Sequence, residues 1–211
     1  MKIKNKFLSE KSKKWLRRHL KDEFVRLSKE EQFRSRAAYK LIEIDNKFKI
    51  LGSSQSIVDL GGAPGSWAEV IKTRAKKAKI IISVDLLDIE PLKDVKTVKD
   101  DFTSKSFDQF LDKHRPFDLI LSDISPNLSG NKTADFLQSQ ALVESALEFA
   151  LSKLSAEGHF VAKYFRTGEM KDIFIKAKKN FEKISSFKPV SSRKESSEMY
   201  LICLKKRKLL N

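Results

Sequence analysis

From Ser56 onward, short apolar runs alternate with longer stretches of helical spacing. Ser56–Leu60, Lys79–Leu86, Val95–Lys99, Phe117–Asp123 and Gly158–Phe165 each read as a strand bounded by turn residues. A helix begins near Ser66, another spans Lys171–Asn180, and Asp135–Lys153 lines Leu137, Ala141, Ala146, Leu147 and Ala150 along one helical face. Strands alternating with helices at this spacing predict an α/β domain with a mostly parallel, doubly wound sheet and helices on both faces. Two last strands, Ile184–Pro189 and Glu198–Leu204, are expected as an antiparallel pair at one edge. Residues 1–50 read as a basic helical extension of the 51–211 domain, with Arg34–Ile44 periodic enough to pack on the sheet.

Two residues break the pattern. Asp123 closes the apolar run Leu119-Ile120-Leu121 and opens the turn Ile124-Ser125-Pro126-Asn127. Lys163 interrupts Phe160-Val161-Ala162 before Tyr164-Phe165, where a lysine is costly unless it is paired. Lys40 and Glu198, at the edges of their own elements, supply a second cation and a second carboxylate. Four such groups brought together would make a site for moving a proton at a hydroxyl.

The turn Asp59-Leu60-Gly61-Gly62-Ala63-Pro64-Gly65 follows a strand and precedes a helix, so a ligand is expected beyond the carboxyl ends of the strands. Asp85 ends the next strand, where a carboxylate can grip ribose hydroxyls, and Asp101 follows the third, within reach of an adenine amine. The glycine spacing is not that of a dinucleotide fold, which disfavours a nicotinamide dehydrogenase, and the lysine of a phosphate-binding loop is absent. A nucleoside without phosphates fits better, with S-adenosylmethionine (SAM) the leading candidate.

Charge sharpens the picture. The net charge is +15, carried by the ends: residues 1–50 hold +9 and residues 171–211 hold +8, around a middle of −2. Two basic ends around a nearly neutral core suit a polyanion such as RNA. An anionic membrane surface is disfavoured, because no strongly amphipathic aromatic helix accompanies the charge. Arg17, Arg18, Lys21, Arg34, Arg36, Arg193 and Lys194 are the candidate phosphate contacts, and Trp15, Phe33 and Tyr39 the candidate stacking or core aromatics. One cysteine, Cys203, excludes an internal disulfide or a cysteine metal cluster. The three histidines lack metal-like spacing, so no metal is expected. No apolar run approaches ~20 residues and no secretory h-region is present, so a cytoplasmic protein away from membranes is expected; a monomer is expected as well.

The segments Asp59–Trp67, Ser122–Asn127 and Arg34–Leu41 together resemble the FtsJ-like ribosomal RNA 2′-O-methyltransferases, with the likeness running from about Ser12 to Lys205. The resemblance implies a Rossmann-like SAM-dependent methyltransferase fold with a seven-stranded sheet and an antiparallel edge strand. It implies a Lys-Asp-Lys-Glu tetrad at Lys40, Asp123, Lys163 and Glu198, with Lys163 as proton acceptor. SAM contacts carry over onto Gly65, Trp67, Asp85, Asp101 and Asp123, and the substrate onto a ribose 2′-hydroxyl of large-subunit ribosomal RNA, in the assembled subunit. Ser66 departs from the family, which commonly has glycine there; serine is small and starts a helix well.

For Lys163 to accept a proton it must spend time uncharged. Burial and the Lys40 ammonium favour that form, while Asp123 and Glu198 oppose it, so the sequence leaves the balance open. Lys40 and Glu198 are expected to orient the hydroxyl and Lys163, and Asp123 to link cofactor to acceptor. Transfer RNA or a messenger RNA cap is the alternative substrate, and a non-catalytic RNA-binding assembly factor the alternative class. The short chain favours ribosomal RNA, and the intact tetrad argues against a pure binder.

Overall fold

The computed structural model describes residues 9, 13, 16, 20–126, 129–166 and 170–208. Two helices, α1 (Glu23–Glu30) and α2 (Ala37–Phe48), precede the sheet. Then follow β1 (Ser56–Leu60), α3 (Ser66–Arg74), β2 (Ile80–Asp85), β3 (Lys96–Lys99), α4 (Lys105–Leu111) and β4 (Phe117–Ser122). The chain continues through α5 (Lys132–Lys153), β5 (Leu154–Phe165), α6 (Lys171–Asn180), β6 (Phe181–Phe187) and β7 (Glu198–Lys206). The seven strands form one sheet in the order β3-β2-β1-β4-β5-β7-β6. The first five neighbours pair in parallel, and β7 runs antiparallel to both β5 and β6.

The antiparallel strands gather at one end of the sheet, but the reversed strand itself, β7, lies one place in from the edge. Burial explains the order. Tyr200, Leu201, Ile202 and Cys203 of β7 are all fully buried, whereas β6 carries exposed Glu182 and Lys183 and tolerates the edge. Strand β5 starts at Leu154 rather than Gly158, because its polar start, Ser155 to Glu157, does not read as a strand. Helix α4 has too few residues for a periodic signal. It is nucleated by Ser104, whose hydroxyl accepts from Phe107 N, and it is anchored by buried Phe107 and Leu111.

Alternation along the strands divides the core into two layers. Val58, Leu60, Ile120, Phe160, Ala162 and Leu201 face α4, α5 and α6, meeting Phe107, Leu147, Phe149 and Ile173. Ile57, Leu119, Leu121, Val161, Tyr200 and Ile202 face the opposite way, against Leu41 and Ile44 of α2 and Trp67 and Ile71 of α3. Lys163, two residues after Val161, lies on this second face by the period of two.

The glycine turn ties the N-terminal segment to the sheet. Gly65 adopts φ 110° at the start of α3, a conformation that disfavours any side chain. The space a Cβ would take is filled by the Arg34 guanidinium. Ser66, the departure from the family pattern, is buried and its hydroxyl pairs with Ser35 at 2.8 Å.

Gly62 is constrained sterically rather than conformationally. A Cβ built on it would overlap Ser83 Oγ and lie 3.0 Å from Asp59 Oδ2. Gly62→Ala should therefore lower stability by roughly 1–3 kcal/mol, the scale of overpacking. Thermal denaturation reads the loss, and adding Ser83→Ala should recover part of it. A melting temperature equal to the wild type would remove the clash as an explanation.

Candidate active site

The sheet brings the four tetrad residues together. Asp123 follows β4, whose last residue Ser122 pairs with Ala162 of β5, so Asp123 and Lys163 are neighbours at one end of the sheet. Lys163 Nζ donates to the Asp123 carbonyl at 2.7 Å and lies 3.2 Å from its Oδ1. Because β7 is reversed, its first residue, Glu198, sits at that same end, opposite Phe165. Lys40, on α2, reaches over to Glu198 and lies 2.9 Å from each of its carboxylate oxygens.

Tyr200 joins the two pairs. Its hydroxyl donates to Asp123 Oδ1 at 2.7 Å, and the Lys40 ammonium sits 6.0 Å from the centre of its ring. Tyr200 is fully buried, and burial with the Asp123 and Glu198 charges holds its hydroxyl firmly protonated. Burial alone would raise the pKa of Asp123, but the Lys163 and Lys40 ammonium groups and the Tyr200 hydrogen bond outweigh it and hold the carboxyl below its ordinary range. Asp123 is thus an anion fixed between two cations. Ser192 donates to Glu198 Oε1 at 2.8 Å. Neither Tyr200 nor Ser192 was singled out from sequence. Tyr200 was findable, because it stands two residues after Glu198 and a strand places both on one face.

A cavity of about 500 Å³ opens beside Asp123, within the range of small-ligand sites. Gly61, Ala63, Val84, Asp85, Leu87, Asp101, Phe102 and Pro126 line it, with Leu142 of α5 closing one side. Asp85 is pre-set: Oδ2 accepts from Ala63 N at 3.0 Å and Oδ1 from Leu87 N at 2.9 Å. Asp101 accepts from the backbone and hydroxyl of Thr103 at 2.8 and 2.7 Å. Gly65 and Trp67 stand apart from this lining. The Trp67 indole is buried, donates to Ala37 O at 2.9 Å and packs on Tyr200, so its side chain braces α2 and the sheet.

On the far side of the tetrad, a groove of about 350 Å³ is lined by Ser35, Arg36, Lys40, Arg193, Ser196 and Glu198. Asp22, the N-cap of α1, pairs with both Arg36 and Arg193 at this groove. The Arg36 guanidinium also donates to Ser191 O; burial first, then Arg193, lowers its pKa. Arg34 corrects the expectation of a phosphate contact. Its guanidinium donates to Pro64 O, Glu90 O and Pro91 O at 2.8–3.0 Å and pairs with Glu69, so it clamps the glycine turn. Phe33 and Tyr39 pack edge-on with rings 5.7 Å apart, which makes them packing residues. Arg17, Arg18 and Trp15 lie outside the described residues. Among those described, no group of three or more His, Cys, Asp or Glu could hold a metal ion, and no helix is long and apolar enough to cross a membrane.

The fold has known counterparts. A ribosomal RNA methyltransferase of Plasmodium falciparum superposes with a TM-score of 0.73 at 31% identity, covering 82% of this chain and 98% of that one. Human methyltransferase-like protein 13, solved in complex with SAH, shares the fold at a TM-score of 0.55 and 17% identity, covering 83% of this chain and 82% of that one. With the sheet order, these define a Rossmann-like methyltransferase. The model of the FtsJ-like methyltransferase family matches residues 33–206, and the chain belongs to that family. The ribosomal RNA large subunit methyltransferase E of Rickettsia bellii (strain RML369-C) is 42% identical over 219 residues, 97% of this chain and 96% of that one.

Beneath the cavity, Asp59 is fully buried; Ser83 Oγ donates to Oδ2 at 2.9 Å, and Oδ1 has no hydrogen-bond partner. Burial raises its pKa to about 7; the Ser83 bond opposes the rise, while the charges of Asp123 and Asp85 add to it. A carboxyl whose folded value lies above its unfolded ~3.9 favours folding in acid. That contribution is full below about pH 4 and is lost as pH rises to about 7. Asp59→Asn, which cannot ionise, should therefore gain stability relative to wild type between pH 4 and 7, by up to on the order of 4 kcal/mol. A difference in melting temperature that stays constant over that range would show that Asp59 does not titrate this way.

Proposed function

We propose that the protein transfers the methyl group of SAM to a ribose 2′-hydroxyl of large-subunit ribosomal RNA in the assembled subunit. The observation that carries this reading is the meeting of Lys40, Asp123, Lys163 and Glu198 between a nucleoside-sized cavity and a groove edged by Arg36 and Arg193. Family membership and the name of the Rickettsia relative support the reaction and the substrate. A cytoplasmic location and a monomeric state belong to the same reading.

SAM supplies an electrophilic methyl on a sulfonium. Asp85 and Asp101, which line the cavity, would hold the ribose hydroxyls and the adenine amine, while Gly65 and Trp67 would contribute backbone groups from the start of α3. Asp123 lines the cavity and also holds Lys163, so it couples the two halves of the site. On the acceptor side, Lys40 and Glu198 would orient the hydroxyl, and Lys163, once it has given up its own proton and is a neutral amine, would take the hydroxyl proton as the methyl leaves sulfur for oxygen. Holding the hydroxyl oxygen in line with the methyl carbon and its sulfur would supply much of the rate. Arg36 and Arg193, both paired with Asp22 in this structure, would have to turn donors from that pairing toward phosphates, contacts that position RNA without reading bases.

Asp85→Ala should weaken SAM binding by roughly 1.5–3 kcal/mol, the scale of a charge-assisted hydrogen bond, as read by calorimetry. Wild-type affinity would sink the assignment of Asp85.

Lys163→Met keeps the aliphatic stem and removes the amine. It should fold and bind SAM, yet transfer labelled methyl to ribosomal subunits roughly 10²–10⁴-fold more slowly, with the product mapped to a 2′-O position. Transfer near the wild-type rate would exclude Lys163 as the base. Methylation of transfer RNA or cap instead of subunits would move the substrate and keep the chemistry.

A further inference from the structure

The connection between β6 and β7, residues 188–197, forms one wall of the groove beside the tetrad. Apolar packing does not hold its apex, since Val190 is 83% exposed. Yet Ser191 and Ser192, the next two residues, are buried. A single stripe on α2 accounts for the difference. Arg36, Lys40, Glu43 and Lys47 recur at intervals of four, three and four, which puts them on one helical face. Each grips this part of the chain. Arg36 donates to Ser191 O, and Lys40 pairs with Glu198. The Lys47 ammonium lies 4.6 Å from the centre of the Phe187 ring, where the connection begins.

Glu43 makes the most directed of these contacts. Its Oε2 accepts from Val190 N at 2.5 Å and its Oε1 from Ser191 N at 2.8 Å, one oxygen for each of two consecutive backbone N–H groups. The next residue, Ser192, is fixed by its own N–H to Pro189 O at 3.0 Å and donates its hydroxyl to Glu198 Oε1 at 2.8 Å. Glu198 in turn holds Lys40. We infer that Glu43 is a positioning residue for methyl transfer: by locking the 188–197 connection onto α2 it sets Ser192, and through Ser192 the orientation of the Glu198–Lys40 pair. Glu43 does not line the groove, so it acts through these residues rather than on the RNA.

The inference rests on the methyl-transfer reading for its kinetic half. Glu43→Gln is the sharp variant, because an amide keeps the size but offers one acceptor, and turns an N–H group toward the second backbone N–H. With the full chain, saturating SAM and large ribosomal subunits, Glu43→Gln should lower kcat roughly 10- to 100-fold, the cost of a misplaced reacting group, and leave SAM affinity unchanged by calorimetry. Ser192→Ala should lower kcat as well, and the double variant should be no slower than the slower single one, since both act through one bond. Hydrogen exchange in the 188–198 peptides should quicken in Glu43→Gln while the rest of the sheet keeps its protection. A wild-type kcat in Glu43→Gln, or losses that multiply in the double variant, would overturn the inference. Unchanged exchange in those peptides would overturn it too, and that readout needs no RNA. A wild-type protein that transfers no methyl to subunits overturns the substrate reading instead, and the exchange result still decides the lock.

Discussion

The site depends on one electrostatic constraint: an ammonium sits inside an otherwise apolar strand. Lys163 is 7% exposed, flanked by buried Ala162 and Tyr164. A lone charge there would cost several kcal/mol, so its partners must be supplied by the fold and held in place. Asp123 supplies both its carbonyl and its carboxylate, and Tyr200 donates a hydrogen bond to the same carboxylate. Trp67 then packs on Tyr200 and reaches back to α2. The position of the Lys163 amine is thus tied, through three side chains, to the packing of one whole face of the sheet.

Topology explains how a cavity and a groove come to meet at that point. The strand order turns back between β1 and β4, and the cavity opens at their carboxyl ends, as expected for a doubly wound sheet. Reversal of β7 brings the start of a strand to the same end, which adds Glu198 and the 188–197 connection. The parallel half of the sheet therefore builds the cavity side, and the reversed strand with α2 builds the groove side. Asp123 belongs to both.

The parallel strands were legible because strands covered on both faces read as unbroken apolar runs; β1 matches its expected bounds to the residue. Strand β5 and helix α4 were less so, since polar starts and short length erase periodicity. Asp123 and Lys163 were legible as charges that violate an apolar pattern. Lys40 and Glu198 carried a weaker local signal, their place near the ends of their elements, and the family resemblance joined them to the other two. Charge counting misled at Arg34. A composition reading treats every arginine as free, but this one spends its donors on carbonyls at Pro64, Glu90 and Pro91, contacts between positions far apart in the chain.

That clamp has a consequence for where the enzyme unit begins. Arg34 fills the space above Gly65 and Ser35 pairs with Ser66, so residues ahead of α2 complete the glycine turn that helps line the cavity. A fragment trimmed to the alternating strand–helix pattern, starting at β1, would keep all seven strands. It would lose Lys40, the brace on Trp67 and the lid over the glycine turn together. Within what looks like an appended basic arm, the stretch from Arg34 through α2 is a structural part of the catalytic unit, and the smallest working version of this fold has to include it.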